Sequence, residues 1–570
     1  MTVMCFMTVG CSGNLDDGFG NEEIDISRTQ LYVSNHSGGY GSDWLYAAKE
    51  RFEELYKDYP GENGKKGVQI YVDVEDNKSL TSAQILAGRS EIYFTEYASY
   101  FDMVAEGALD DITEVYTKSL DEFGDPDGKT LLDKLTAEQK EYFLMPDGKY
   151  YAVPHYSGYY GFTYDADLFD TYGYYFKDGA VTEGVDPTDE NELDKIFIKP
   201  NSNDKKSAGP DGEYNTYDDG LPTTYEEFFL LCEHIIDAHQ IPVTWSGNNY
   251  TQYTRGLASS LAVEAVGADE FKLNFTFDGT ATTLGKVEGG EFVYDTTPTK
   301  ITEANGYELY RSAGNYYALS FIEKLVTKNN GTNVYLAKNA LNSGYSFSDA
   351  EEHFLKSRSD GEPIAMLMEG MYWQTEAQGT FTSMANSMGE EYSRQKRNLK
   401  FMPLPKPTKE IADAAIEQSK TNGGKVHSIL DSMLSIGYVK KNISESKRQL
   451  AYDFLRFVNT DESLVEFNKI AGMPKALEYT VPDDDYKELS VFGKSIYDIK
   501  KQATYIYSIS KKDIYVQNQS RFARNVGIWT SSVGGKTQDM PAQVFANGVA
   551  TAKAYFEGMY THQKNTWPIK

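Results

Sequence analysis

The sequence predicts an α/β fold built on parallel sheets, and three observations carry that expectation. Strands and amphipathic helices alternate over residues 30–95. A glycine-rich loop follows the first strand. A second run of the same alternation starts near residue 159, so the 570 residues divide into two large units. The first strand spans 30–34 (Gln30-Leu31-Tyr32-Val33-Ser34) and runs into Gly38-Gly39-Tyr40-Gly41-Ser42-Asp43. A helix starts at about Trp44, with Leu45, Ala48, Phe52 and Leu55 on one face at spacings of three and four. Gly61 and Gly64 end that segment. A second strand covers 68–73, a short helix 80–87 and a third strand 91–95. The order βαβαβ calls for parallel strands with right-handed crossovers.

In open parallel sheets, ligands bind beyond the carboxyl ends of the strands. Those ends fall at 35–40, 73–76 and Glu96-Tyr97. Glu96 and Tyr97 follow a buried strand, which aims them at a cleft; the alternative is a cap on the next helix. Residues 148–156 (Gly148 to Tyr156, with His155) read as a turn and strand approaching the same edge. In the second unit, Thr224 followed by Glu227 is a capping pattern for a helix over 223–239. Cys232 sits in that helix among Phe228, Phe229, Leu231 and Ile235, as a buried structural thiol would. The strand 241–245 ends on Trp245.

Composition excludes several classes. The formal charge is −30, from 55 basic and 85 acidic residues, which disfavours nucleic acid and anionic lipid headgroups as partners. No apolar run reaches 18 residues. The nucleotide motifs fail: Gly124-Asp125-Pro126-Asp127-Gly128-Lys129-Thr130 is one residue short of a phosphate loop and carries two aspartates. There is no G-x-S-x-G, H-E-x-x-H or C-x-x-C, and the seven histidines are scattered singly. Aromatics make up 14% of the chain, with 44 tyrosines and 29 phenylalanines. Ring faces suit sugar CH surfaces and phenol hydroxyls suit sugar OH groups, although tyrosine can equally be a surface habit. No cofactor is called for. The acidic loop 209–220, with Asp211, Asp218 and Asp219 among turn glycines, offers hard oxygen ligands for a structural Ca²⁺, or is an acidic surface turn.

Near the start, an apolar run (Met1 to Gly10) with small residues at Thr8 and Gly10 precedes Cys11, and a small, polar, acidic stretch follows. This resembles a bacterial lipoprotein lipobox, which implies cleavage before Cys11 and a diacylglycerol on its thiol; the alternative is a secretory peptide with an incidental cysteine. Only Cys5, Cys11 and Cys232 are present, so there is no disulfide framework. Residues 12–27 read as a tether.

Residues 363–377 (Pro363 to Ala377) place a buried strand before Glu369-Gly370 and an aromatic pair, Tyr372-Trp373, at a helix start. Here the chain resembles the family 1 extracellular solute-binding proteins, the sugar-binding type related in architecture to maltodextrin-binding protein. Their strand–Gly–x–Trp segment sets a tryptophan under the sugar ring, and Trp373 is taken as that position. Phe401-Met402-Pro403-Leu404-Pro405, the strand 432–439, the helix 447–459 with Thr460-Asp461-Glu462, and Gly472-Met473-Pro474 resemble successive elements of the same family.

The resemblance implies a two-lobe periplasmic-binding-protein-like fold of type II with an interlobe ligand cleft. Lobe one takes 28–158 with 405–471, and lobe two takes 159–404 with 472–570. It further implies a lipid-anchored protein on the outer face of the bacterial cytoplasmic membrane. Such a protein, a monomer, hands a carbohydrate to an ABC permease powered by a separate ATPase. Closure of the lobes on the ligand, not catalysis, is the mechanism. Trp373, Trp245 and Tyr40 are the candidate platforms; Glu96, His155, Asp43 and Glu369 are the candidate hydrogen-bonding groups. Trp373 also suits a core position, Asp43 a helix cap and Glu369 a structural role. A secreted glycoside hydrolase would need two opposed carboxylates, and no spacing singles out a pair. A peptide-binding or adhesion lipoprotein would show repeats, and none is found.

Overall fold

The computed structural model describes residues 23–568 apart from 76–78, 97–98, 157, 248–250, 330, 433–434 and 523–527. The lipobox, Cys11 included, most of the tether and Tyr97 lie outside the described residues. Eleven strands organise the fold: β1 (Thr29–His36), β2 (Val68–Glu75), β3 (Ile92–Glu96), β4 (Val153–Pro154), β5 (Tyr160–Asp165), β6 (Ile241–Thr244), β7 (Ile364–Gly370), β8 (Leu399–Met402), β9 (His427–Asp431), β10 (Ser435–Val439) and β11 (Ala503–Tyr507).

The first sheet has the order β2-β1-β3-β10-β4. Strands β1, β2 and β3 are parallel, with Val33 opposite both Val72 and Ile92, as the βαβαβ pattern requires. Strand β10 enters from far along the chain and runs antiparallel to β3 and β4. The helix Asp43–Leu55 buries three of the four predicted stripe residues, Leu45, Ala48 and Phe52, together with Trp44, and leaves the fourth, Leu55, exposed at the end of the helix. The short helix Ser82–Ala87 is capped by Thr81, whose hydroxyl accepts from the Gln84 N–H.

The second sheet has the order β8-β5-β7-β6. Strand β7 is parallel to β6 and antiparallel to β5. All seven β7 residues are buried, which accounts for its unbroken apolar run. The helix Tyr225–Asp237 carries the predicted capping box between Thr224 and Glu227. Cys232 is fully buried there, and burial pushes its thiol well above the usual range, so it is an inert core thiol. Strands β9 and β11 pair in parallel as a separate ribbon.

The chain passes from the first sheet to the second between Pro154 and Tyr160, and returns between Met402 and Ser435. Gly472, at φ 73°, ends the helix Asp461–Ala471 in the left-handed region that favours glycine. The chain does not leave the first lobe there. Lys475 Nζ donates to Val458 O at 3.1 Å, and the Glu478 N–H donates to Lys134 O at 2.8 Å. The last crossover therefore falls beyond the expected 471/472 boundary. No helix among the described residues is long and apolar enough to cross a membrane.

Candidate functional site

The carboxyl ends of β1 and β3 bring a tyrosine–carboxylate cluster to the edge of the first sheet. Gly39 and Gly41 hold φ values of 69° and 68°, which turn the loop after β1 so that Tyr40 folds inward. The Tyr40 hydroxyl lies 3.2 Å from Ser435 Oγ at the start of β10. Its ring centroid is 4.2 Å from that of Tyr156. The Tyr156 hydroxyl donates to Glu96 Oε1 at 2.6 Å, and His36 Nε2 stands 3.8 Å from Glu96 Oε2. Burial, with Glu96 alongside, pushes the Tyr156 phenol well above its ordinary range, so it stays a neutral donor.

The second lobe presents a matching surface. The Tyr372 hydroxyl donates to the Tyr160 hydroxyl at 2.9 Å, and Gln252 Nε2 donates to the same oxygen at 2.7 Å. Tyr253 meets Tyr160 edge to face at 5.6 Å. Behind these rings sit Glu351, Glu369 and Glu376. Glu369 ends β7 fully buried, and its Oε1 accepts the Gly370 N–H at 2.8 Å. Burial, then the neighbouring Glu376, drives the Glu351 and Glu369 carboxyls well above the usual range.

The two surfaces meet. Tyr156 of the first lobe lies edge to face with Tyr372 of the second at 6.3 Å. A Cβ on Gly41 would stand 2.8 Å from Thr375 Cγ2, so the lobes approach through a residue with no side chain. Thr375 Oγ1 and Arg394 Nη2 both donate across to Ala471 O, at 3.3 and 2.7 Å. Rings for apolar CH faces, hydroxyl donors and carboxylate acceptors thus line one seam, the chemistry that polyhydroxylated ligands need.

Two of the predicted residues, Tyr40 and Glu96, come together in the seam, and a third, Glu369, is buried behind its second-lobe rings. The other four do neither. Trp373 is 0% exposed, its Nε1 donates to Thr163 Oγ1 at 2.9 Å, and its ring packs on Phe354, Phe381 and Phe492. All four are second-lobe residues, so Trp373 is a core side chain. Trp245 is also 0% exposed and folds back over Gly247, where a Cβ would overlap its ring at 1.8 Å. His155 is enclosed by Tyr40, Trp44, Phe94 and Phe467, and burial holds its imidazole well below the usual range. It packs as a neutral ring beneath the seam. Asp43 is exposed in the first turn of its helix, at the rim, where its charge acts on Arg394 of the second lobe.

Tyr156, Tyr160, Tyr253, Tyr372, Glu351 and Glu376 are the members that sequence reasoning missed. For Tyr372 the signal was present: a Gly–x–aromatic spacing counted from Gly370 lands on Tyr372, not on Trp373. For Glu351 there was none, since only the fold brings it beside Glu369.

The acidic loop closes on itself. Asp211 accepts from the Glu213 N–H at 2.7 Å and from Gln502 Nε2 at 3.0 Å. Asp218 accepts from the Asp211 N–H at 3.0 Å and from Thr216 Oγ1 at 2.7 Å. Asp219 accepts from the Asn215 and Thr216 N–H groups at 2.9 and 3.2 Å. Each of the six carboxyl oxygens lies within hydrogen-bond distance of one of the protein's own polar groups. Among the described residues no group of three or more His, Cys, Asp or Glu side chains is placed to share an ion. These contacts close the loop without a metal, and chelation tests whether it also holds Ca²⁺. If the loop closes on its own donors, EDTA leaves the melting temperature unchanged; a drop reversed by added Ca²⁺ would show that it holds the metal.

Burial, then Asp211, raises the Asp218 carboxyl from 3.8 to about 8. The folded protein then holds a proton that the unfolded chain has lost over that window. Stability from this group is full below the unfolded value and declines as pH rises towards 8. Asp218→Asn is expected to gain on the wild type between pH 5 and pH 8, read by melting curves at both; equal shifts at the two would contradict it.

No family model matches the chain, and no curated protein matches it in sequence. Solved structures do. A chitin oligosaccharide binding protein aligns with TM-score 0.52 at 15% identity, covering 95% of this chain and 99% of that one. A probable secreted solute-binding lipoprotein from Streptomyces coelicolor aligns with TM-score 0.50 at 13% identity, covering 95% and 100%. The bacterial solute receptor AcbH, described as having an exclusive preference for β-D-galactopyranose, gives the same TM-score, identity and coverage. With its two sheets, its crossovers and this near-complete alignment, the chain has the two-lobe α/β fold of the sugar-binding extracellular solute-binding proteins.

Proposed function

We propose that the protein captures a carbohydrate between its lobes and delivers it to an ABC importer. The observation that carries this reading is the seam. Tyr156, bonded to Glu96 and packed on Tyr40 in one lobe, faces Tyr372, bonded to Tyr160 in the other. A ligand held by both lobes is bound better by the closed form and shifts the equilibrium towards it. The ligands named for two of the aligned structures, a chitin oligosaccharide and β-D-galactopyranose, support a sugar, and the neutral phenols and buried carboxyls suit its hydroxyls. The role is binding, without bond cleavage. Import then rests on a separate permease and ATPase, with the monomeric binding protein held at the outer face of the cytoplasmic membrane through a lipid on Cys11.

Purified protein titrated calorimetrically with a panel of mono- and oligosaccharides is expected to bind at least one, and chromatography of the mixture to return it intact. Cleaved products would favour the glycoside hydrolase reading; no binding would leave the seam without its ligand. Cys11→Ser is expected to move the protein from the membrane fraction to the medium with an unchanged melting curve. A variant that still pellets with membranes would remove the anchor from this account.

A further inference from the structure

We propose that an open groove at the edge of the second sheet is a further carbohydrate-contact surface, which takes the distal units of an oligosaccharide whose first units sit in the seam. This rests on the carbohydrate reading above. The groove has a volume of ≈ 710 Å³, and Asn339, Asn342, Tyr345, Asp349, Glu352 and His353 are among its lining residues. Its size falls in the range of small-molecule sites.

Its position ties it to the seam. The Tyr345 hydroxyl lies 3.1 Å from Thr244 Oγ1, at the carboxyl end of β6. Thr244 is in register with Leu367, two residues before Glu369, and the two strands are parallel. The groove and the seam therefore lie at the same end of one sheet, where α/β folds place ligands. The loop that walls the groove is lashed to the chain after β6: Ser246 Oγ donates to Tyr345 O at 2.8 Å, and the Gly247 N–H to Ala340 O at 3.1 Å. The helix Phe347–Asp360 serves both places. Asp349, Glu352, His353 and Lys356 follow the spacing of one helix face and line the groove, while Glu351 is buried on another face beside Glu369 and Glu376.

The polar groups are oriented before any ligand arrives. Asp349 Oδ2 accepts from the Ser346 N–H and Oγ at 2.8 and 2.7 Å, which leaves Oδ1 for a ligand. His353 Nδ1 is held by the Tyr345 hydroxyl at 2.9 Å, which leaves Nε2. Asn342 Nδ2 donates to Asn339 Oδ1 at 3.2 Å, which leaves the Asn342 carbonyl and the Asn339 amino group. Lys356 pairs with Glu352, so the groove presents no unbalanced positive charge to an anion. Amide, carboxylate and imidazole groups fixed around the groove suit the hydroxyls of a neutral sugar chain, and fixed groups lose little freedom on binding. With Tyr345 only 8% exposed, recognition here is by hydrogen bonds and not by stacking.

The test is calorimetry with α-1,4-glucan, β-1,4-glucan, chitin and xylan oligosaccharides of one to six units, on the full protein and on two groove variants checked by melting curves. Asn342→Trp fills the groove, and His353→Ala removes one partner. For the series that binds, wild-type affinity is expected to rise roughly tenfold or more once the chain outgrows the seam. The variants are expected to erase that rise and to leave the shortest ligand unaffected. Tyr372→Ala is expected to weaken every length. Variants that keep the rise, a wild type whose affinity is flat with length, or variants that weaken short and long chains alike would overturn the groove while leaving the seam standing. Failure of all four series to bind would overturn the carbohydrate reading and the groove with it.

Discussion

Trp373→Ala is expected to lower the stability of the protein by about 3–5 kcal/mol, as large aromatic truncations in cores do. The indole is 0% exposed and touches three second-lobe phenylalanines, so the cavity has rigid walls. The loss also strips Thr163 Oγ1 of the donor that now reaches it at 2.9 Å. Denaturant unfolding, followed by a probe in each lobe, measures the effect. The folded fraction is expected to keep wild-type sugar affinity, because no first-lobe side chain is among the ring's partners. A stable variant that no longer binds sugar would return Trp373 to the role its sequence context first implied.

Tyr372→Ala is expected to do the reverse. Its ring is the second-lobe face that meets Tyr156, and its hydroxyl is bonded to Tyr160. Removal of an aromatic from the centre of a binding surface typically costs about 2–4 kcal/mol, a weakening of roughly thirty- to several-hundred-fold. Stability is expected to change less than in Trp373→Ala. Titration of the variant, beside its melting curve, checks both halves. Neighbouring residues at a helix start point roughly 100° apart, so one ring of the pair goes into the core and the other to the seam. If Tyr372→Ala binds as the wild type does, the seam loses its second-lobe platform.

This pair shows what was legible in the sequence and what was not. The β1–helix–β2–helix–β3 order, the Leu45–Ala48–Phe52 part of the stripe and the cap at Thr224 are local patterns, and each stands in the structure as read; only Leu55, in the last turn, turns out to solvent. That β10 belongs to the first sheet was legible only through resemblance, because no local pattern announces a strand borrowed from hundreds of residues away. The site was harder. An aromatic residue at a strand end advertises burial and binding in the same way, so Trp245, Trp373 and His155 could not be told from Tyr40 by type. Glu351 and Tyr253 belong to helices, Phe347–Asp360 and Thr251–Val266, and come near the seam only because those helices pack behind β7 and β5. The acidic loop is ambiguous for a related reason. Carboxylates among turn glycines suit calcium, but they suit backbone N–H groups as well, and here the loop supplies its own donors.

The central claim is that the seam itself holds the sugar and that the lobes close over it. Hydrogen exchange with and without a saturating oligosaccharide tests this most directly, since ligand contact and closure both slow exchange in the segments they cover. The account predicts added protection at His36–Gly41 and Tyr156 of the first lobe together with Gly370–Glu376 of the second. Protection confined to one lobe, or to surfaces away from these segments, would contradict it.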